Sequence, residues 1–267
     1  MFDLDALEAE LAGTVFAGKL HFARVTGSTN SDAIAAARDD AQHVGAPHGS
    51  VYFADEQLAG RGRGDHGWIS VAGEGLYVSV LLRPQIPASR LPLLPLAAGL
   101  AAAEAIHIVA GLTIDLRWPN DLLIGPRKAG GILIEASLES KGLPHAVVVG
   151  IGINVHQRAF PSDLATPATS LDLDAGRAIS RQTLLAVLLK SLEREASALA
   201  DAAAAKEIPA RVERASTWIR GRNVQVHGPQ SCTGVTAGLD EHGFLRVATA
   251  SGLVTVQTGG LREKASF

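Results

Sequence analysis

Thr113-Ile114-Asp115-Leu116-Arg117-Trp118-Pro119-Asn120-Asp121-Leu122-Leu123-Ile124-Gly125-Pro126-Arg127-Lys128-Ala129-Gly130-Gly131-Ile132 decides how this chain folds. Residues 113–117 and 121–124 have the composition of short strands, and a third runs over 131–138. Gly125-Pro126-Arg127-Lys128 reads as a hairpin turn between two of them. Ala146 to Val155 then gives a continuous apolar run with glycines, the pattern of a central strand. Strand follows strand here without an intervening crossover helix. Helices and strands do not alternate strictly, so the expected class is α+β, a mixed sheet with helices on one face, not a doubly wound fold.

Working outward, Leu4–Leu11 has a short helical pattern and Lys19–Val25 alternates as a strand. Thr29-Asn30-Ser31-Asp32 has the spacing of a capping box before an Ala-rich helix to about Arg38. Val51–Ala54 and Leu76–Leu82 read as strands. Glu56–Gly67 is glycine-rich, charged and aperiodic, and reads as a mobile loop. Leu93–Val109 reads as a buried helix entered through prolines. The apolar run around it, Leu91–Leu112, raises the question of a membrane span. It contains Pro92, Pro95, Glu104 and His107, which favours a core helix. Arg181–Leu199 is strongly amphipathic, and Ala202–Arg214 continues helically.

The pattern changes near Ser216. From Asn223 the chain gives short alternating strands at Val224–His227, Cys232–Leu239, Phe244–Ala248 and Leu253–Gln257. This predicts a β-barrel of about fifty residues, a size only marginally stable alone. The expected division is therefore 1–215 and 216–267, with the small unit packed on the large one.

Of 267 residues, 47% are hydrophobic, enough for a sizeable core. The formal net charge of −3 argues against nonspecific nucleic-acid binding. The single cysteine, Cys232, cannot form an internal disulfide, and the N-terminal residues lack the pattern of a signal peptide. Both point to the cytoplasm.

In this slightly acidic chain the anion-binding groups are gathered into short loops. Gly60-Arg61-Gly62-Arg63-Gly64 supplies two guanidinium forks on a backbone that a ligand can approach closely. Arg117-Trp118-Pro119-Asn120-Asp121, with Lys128 soon after, adds an acidic group and a cation. The bland alternatives are surface charge on a flexible loop, and a structural turn with Trp118 in the core. Gly130-Gly131 and Gly150-Ile151-Gly152-Ile153-Asn154 place glycines in strands, where a ligand or another backbone comes close. Gly27-Ser28-Thr29-Asn30 offers hydroxyls and an amide at a helix N-terminus. There is no P-loop, no zinc-ligand spacing and no Gly-x-Ser-x-Gly. Gly62-Arg63-Gly64-Asp65-His66-Gly67 matches a dinucleotide fingerprint in letters only.

Taken in order, these segments resemble the biotin protein ligases. The match runs through Gly27–Asn30, Glu56–Arg63, Trp68, Gly75–Ser79, Arg117–Asp121, Lys128–Leu133, Gly150–Val155 and Ala168–Leu171. A weaker match at Gly259–Arg262 closes it. Each motif alone is weak; the ordered set is specific. The resemblance implies a catalytic domain like that of class II aminoacyl-tRNA synthetases followed by an SH3-like barrel. About twenty residues precede the first strand, too few for the DNA-binding domain some members carry, which implies the monofunctional type. Three departures from the family stand out. Gly64-Asp65-His66 replaces a further Arg-Gly-Arg, Arg117 stands where lysine is usual, and Gln225 lies near a position for a basic nucleotide contact.

The resemblance further implies ATP-dependent activation of biotin as biotinyl-5′-AMP, followed by transfer to a lysine of a biotin carboxyl carrier domain. ATP and Mg²⁺ would be required. Lys128, Arg61 and Arg63 are the expected catalytic residues. Biotin is assigned to Ser28, Thr29, Asn30, Gln57, Gly60, Arg61, Lys128, Gly131, Ile132 and Gly150. The nucleotide is assigned to Arg63, Trp68, Asn120, Asn154 and Arg262, and Mg²⁺ to Asp121. No nucleic-acid or membrane partner is expected, and the chain would be a monomer or homodimer. The rival readings are a lipoate or octanoate transferase, a biotin-responsive binding protein without catalysis, and an RNA-binding module.

Overall fold

The computed structural model describes residues 2–38, 45–64, 66–138 and 144–264. Its elements run α1 (Leu4–Glu10), β1 (Leu20–Thr26), α2 (Thr29–Ala37), β2 (Ser50–Gln57) and β3 (Gly75–Leu82). A 3-10 turn at Ala88–Leu93 leads into α3 (Leu94–Ala110). Then come β4 (Asp115–Arg117), β5 (Asp121–Ile124), β6 (Arg127–Leu138), β7 (Pro144–Asn154), α4 (Leu171–Ala175), α5 (Arg181–Ala198) and α6 (Ala202–Arg214). Five strands close the chain: β8 (Arg220–His227), β9 (Cys232–Leu239), β10 (Leu245–Thr249), β11 (Gly252–Val256) and β12 (Gly260–Glu263).

The larger sheet has seven strands in the order β1-β2-β3-β7-β6-β5-β4. Only the β1–β2 pair is parallel; every other neighbour is antiparallel. The mixed α+β class is as expected, and β7 is the central strand. The turn between β5 and β6 is tighter than the sequence indicates, because Arg127 and Lys128 already belong to β6.

Side chains alternate across β7, so the sheet has two different faces. Val147, Val149, Ile151 and Ile153 join the main core, under α3 and α5. Ala146 and Val148 face the other way, onto Ala33 and Ala37 of α2. The expectation of helices on one face is therefore corrected. α2 is short and nearly featureless in its polarity, and nothing in its pattern announces which face it takes. The 3-10 turn and α3 together, Ala88–Ala110, are the one helical stretch among the described residues long and apolar enough to cross a membrane. Its alanines at 97, 98, 101, 102 and 105 are fully buried in the core.

A further correction concerns the start of α2. The cap of α2 is Ser28, one residue before the expected capping box, and its side chain makes no capping bond. Asp32 instead accepts from the Thr26 hydroxyl at 2.6 Å. α5 and α6 are separate helices, because Asp201 caps α6 by accepting from Ala203 and Ala204 N–H at 2.8 Å. Glu195 on α5, 2% exposed, binds Arg211 of α6 through both oxygens at 2.7 and 2.8 Å and so holds the pair together.

The C-terminal strands form a five-stranded antiparallel sheet, β11-β10-β9-β8-β12. β12 was not expected as a strand; its four residues are too few to show alternation, and pairing with β8 defines it. The unit shares one core with the large sheet through Val224, Val226, Leu245 and Val247. The Trp118 indole donates to Gly243 O at 3.0 Å across this junction. Gly243 has a φ of 81°, and a β-carbon there would lie 2.6 Å from Leu96 Cδ1 and 3.1 Å from Leu93 Cδ2. Gly243→Ala combines a left-handed backbone with overpacking against α3. It should cost about 1–3 kcal/mol, read as a lower urea midpoint at unchanged slope. An unchanged midpoint would show that this contact does not hold the two sheets together.

Candidate active site

Strand register builds the floor of the site. Gly131 of β6, Gly152 of β7 and Tyr77 of β3 lie in one row. Leu133, Gly150 and Ser79 form the next row, and Glu135, Val148 and Leu81 the one after. All belong to the face that α2 covers at one end only. Beyond α2 the glycines keep the floor of the sheet low, and a cleft of about 710 Å³ opens there. Of the residues assigned from sequence, all but Gly60 line it. Gly60 stands behind the wall, where its carbonyl accepts from Trp68 N–H at 2.8 Å.

At the α2 end a polar network is already assembled. Gln57 Oε1 accepts from Thr29 N–H at 2.9 Å and from the Thr29 hydroxyl at 3.1 Å. The Thr29 and Ser79 hydroxyls are 2.7 Å apart, and Ser79 donates to Asn30 Oδ1 at 2.5 Å. Asn30 Nδ2 donates to Glu135 at 2.8 Å. Arg61 reaches the same Glu135 oxygen. A β-carbon at Gly150 would fall 2.1 Å from Asn30 Oδ1, so this glycine makes room for the amide. Ser79 and Glu135 were missed from sequence. Alternation along β3 and β6 puts both on the pocket face, but only register shows that they meet Asn30.

The loop after β2 lies across the cleft with fixed attachments. Its backbone bonds to Thr26 O at 2.9 Å and Gly27 O at 2.8 Å. Arg63 donates to Gly259 O at 2.8 Å and to the Thr258 hydroxyl at 3.1 Å, both in the C-terminal unit. Burial lowers the Arg63 guanidinium, and Asp121 offsets part of that. Asp65 lies outside the described residues. Trp68, after the loop, lies on the floor: a β-carbon at Gly152 would be 2.6 Å from its Cε2. Gly152 was not singled out, although the same Gly-Ile-Gly spacing contains it.

At the centre, Asp121 engages two cations. Lys128 Nζ is 2.5 Å from Oδ1. Arg117 bonds to Oδ2 through Nε at 3.0 Å and through its terminal nitrogen at 2.6 Å. Burial works against the charge of Asp121, but Lys128 and Arg117 outweigh it and hold the carboxyl below the ordinary range. Lys128 Nζ also stands 5.6 Å above the Trp68 ring. Arg117, 8% exposed, stacks over Trp218 and bonds to Thr166 at 2.9 Å. It is structural, and its planar fork explains how it replaces a lysine. Asp121 does not fit a magnesium ligand in this arrangement: both oxygens are paired, and no cluster of three acidic, His or Cys ligands stands near it among the described residues.

The remaining assignments divide. Asn154 uses its amide on Thr169 O at 3.0 Å and Lys128 O at 3.4 Å, fixing the segment beside the lysine. Asn120 donates to Ile132 O at 2.7 Å. Ile132 borders the cleft, yet its side chain belongs to the core. Arg262 is on the exposed rim, in register with Gln225, which does not line the cleft. Burial raises the Cys232 thiol, away from a nucleophile's range.

Residues 22–154 match the model of the biotin/lipoate A/B protein ligase family. The biotin–[acetyl-CoA-carboxylase] ligase of Mycobacterium tuberculosis is 34% identical over 88% of this chain and 85% of its own length. The bifunctional ligase/repressor BirA of Bacillus subtilis is 42% identical, but over 56% of this chain. The matched region spans about half, 46%, of that relative. Among solved structures, the biotin protein ligase from Aquifex aeolicus in complex with biotin and ATP is similar over 93% of this chain and 100% of its own, at 29% identity and a TM-score of 0.77. The chain belongs to the biotin/lipoate A/B protein ligase family, among the biotin protein ligases.

Asp121→Asn tests the central ion cluster. Because the folded carboxyl is depressed, its stabilisation is present above the ordinary value of 3.8 and is lost as pH falls through the folded value. The substitution should cost about 1.5–3 kcal/mol at neutral pH, with the gap to the unaltered protein closing on acidification. A gap independent of pH would contradict this charge assignment.

Proposed function

We propose that the protein is an ATP-dependent ligase that activates biotin as biotinyl-5′-AMP and transfers the biotinyl group to a lysine of a carboxyl carrier domain. One observation carries the reading: Lys128 is held by Asp121 over a glycine floor, between a polar pocket and an open half of the cleft. In the first step a carboxylate oxygen of biotin attacks the α-phosphorus. A P–O bond forms, and the bond to pyrophosphate breaks. Two anions must be brought together, so catalysis consists of alignment and charge neutralisation. Lys128 exchanges Asp121 for the carboxylate and α-phosphate oxygens. Arg61 and Arg63 supply further positive charge from the loop. Magnesium fits as an ion brought in with the nucleotide's phosphates.

In the second step the acceptor amine attacks the acyl carbon. A C–N bond forms, the C–O bond to AMP breaks, and the amine's proton is given up. The segment after β2 covers the mixed anhydride and excludes water. Biotin is favoured over lipoate or octanoate by the network of Thr29, Gln57, Asn30, Ser79 and Glu135. A ureido ring presents both N–H donors and a carbonyl acceptor to such a network; a dithiolane or alkyl chain presents neither. The single cysteine fits a cytoplasmic setting, and residues 1–215 and 216–267 fit as catalytic and accessory units.

The test is pyrophosphate release with MgATP and biotin, lipoate or octanoate, beside Lys128→Ala. Release with biotin alone, reduced at least about a hundredfold in the variant while its far-ultraviolet spectrum is kept, is expected. Release with lipoate instead would move the protein to the lipoate branch. Full activity in Lys128→Ala would overturn the assignment of the lysine.

A further inference from the structure

Glu135 of β6 does not line the cleft, but it ends a chain of hydrogen bonds between residues that do. Its Oε2 accepts from Asn30 Nδ2 at 2.8 Å and from Arg61. Paired with a guanidinium it is a carboxylate, and a carboxylate only accepts. Asn30 therefore turns its amide nitrogen toward Glu135 and its Oδ1 toward Ser79. The Ser79 hydroxyl gives its one proton to that oxygen at 2.5 Å. It has none left for Thr29, so Thr29 donates across the 2.7 Å contact between the two hydroxyls. Thr29 also has a single hydroxyl proton. Once that proton is on Ser79, Gln57 Oε1, 3.1 Å from the Thr29 hydroxyl, is held by the Thr29 backbone N–H at 2.9 Å. Gln57 is kept from turning over, because its Nε2 donates to Ser70 Oγ at 2.8 Å and Ser70 spends its proton on Trp68 O at 3.2 Å. The Gln57 oxygen keeps the capacity to accept once more. Thr29, Asn30 and Ser79 are all buried, so their partners in the protein set these directions.

We infer that Glu135 is a positioning residue for the acid substrate: acting through Asn30, its carboxylate makes the protons of Thr29 and Ser79 point toward β6, and so leaves Gln57 Oε1 to a donor from the ligand. The inference rests on the ligase reading, in which that donor is a ureido N–H. A chain of hydroxyls closed by an amide can run either way, and an end group that cannot donate selects the direction. Reversed, Asn30 would donate to Ser79, Ser79 to Thr29 and Thr29 to Gln57 Oε1, which would then be filled before the substrate arrived. From outside the cleft, Glu135 thus sets which hydrogen bonds the α2 end offers.

The experiment measures biotin binding by calorimetry in the unaltered protein, Glu135→Met, Glu135→Gln, Ser79→Ala and the double variant of Glu135→Met with Ser79→Ala, with fold checked by circular dichroism. Glu135→Met keeps the length of the side chain and removes the acceptor. Kd for biotin should rise roughly tenfold or more, while KM for ATP in pyrophosphate exchange is unchanged. Glu135→Gln keeps an oxygen that Arg61 holds toward Asn30, and should retain most of the affinity. Ser79→Ala interrupts the chain beside Asn30 and should weaken biotin by a similar factor, which keeps the test decisive if Glu135→Met fails to fold. In the double variant the two losses should not add. Additive losses would show that Glu135 acts through Arg61 alone and overturn the inference; so would unchanged binding in Glu135→Met or Ser79→Ala. If the unaltered protein binds no biotin, the ligase reading fails separately, and the chain is followed in the free protein. The Gln57 side-chain amide resonances, identified by their loss in Gln57→Glu, should then move on Glu135→Met but not when that change is made on Ser79→Ala. Resonances that stay in place in Glu135→Met overturn the inference.

Discussion

Everything about this site depends on glycines in one face of one sheet, which make room for Asn30, Trp68 and Lys128. β7 must cover α3 and α5 with Val147, Val149, Ile151 and Ile153, and it does so completely. Alternation then gives its opposite face to Val148, Gly150, Gly152 and Asn154. Larger residues at the two glycines would meet Asn30 and Trp68 at 2.1 and 2.6 Å. The cleft is therefore a consequence of strand register combined with two missing β-carbons. Strand register sets its floor, and the loop after β2 supplies part of its wall.

Charge is organised around the same floor. Asp121 is the hub: it is buried enough to be costly, and it is held ionised by Lys128 and Arg117. Arg117 is locked between Trp218 and Thr166, while Lys128 faces the cleft. One partner anchors the carboxylate and the other is presented to a ligand. Glu135 has a parallel place at the α2 end, where it joins Asn30 to Arg61. In both cases a carboxylate orients a polar group in advance, which lowers the reorganisation needed when an anionic substrate arrives.

Much of this was legible in the residues. The apolar run at 146–155, the hairpin after it in space and the β-rich tail each carry a local pattern, and each appears in the structure. Fifteen of the assigned residues reach one cleft because the motifs mark where strands end and loops begin. What the sequence leaves out is long-range. Glu135 is an unremarkable acidic residue on a strand until register brings it to Asn30. β12 is too short to show a period. The side taken by α2 depends on Ala146 and Val148 being small, a property of its partner strand. Asp121 offers a metal ligand's carboxylate in the sequence, and only the fold shows both of its oxygens taken up by Arg117 and Lys128.

Formation of the mixed anhydride is the step that this cleft is built to perform. The protein incubated with biotin and MgATP, without an acceptor, should retain the product after excess ligand is removed. Denaturation and mass spectrometry of the released small molecules should then show biotinyl-5′-AMP in an amount comparable to the protein. Recovery of unmodified biotin and ATP only would contradict the account.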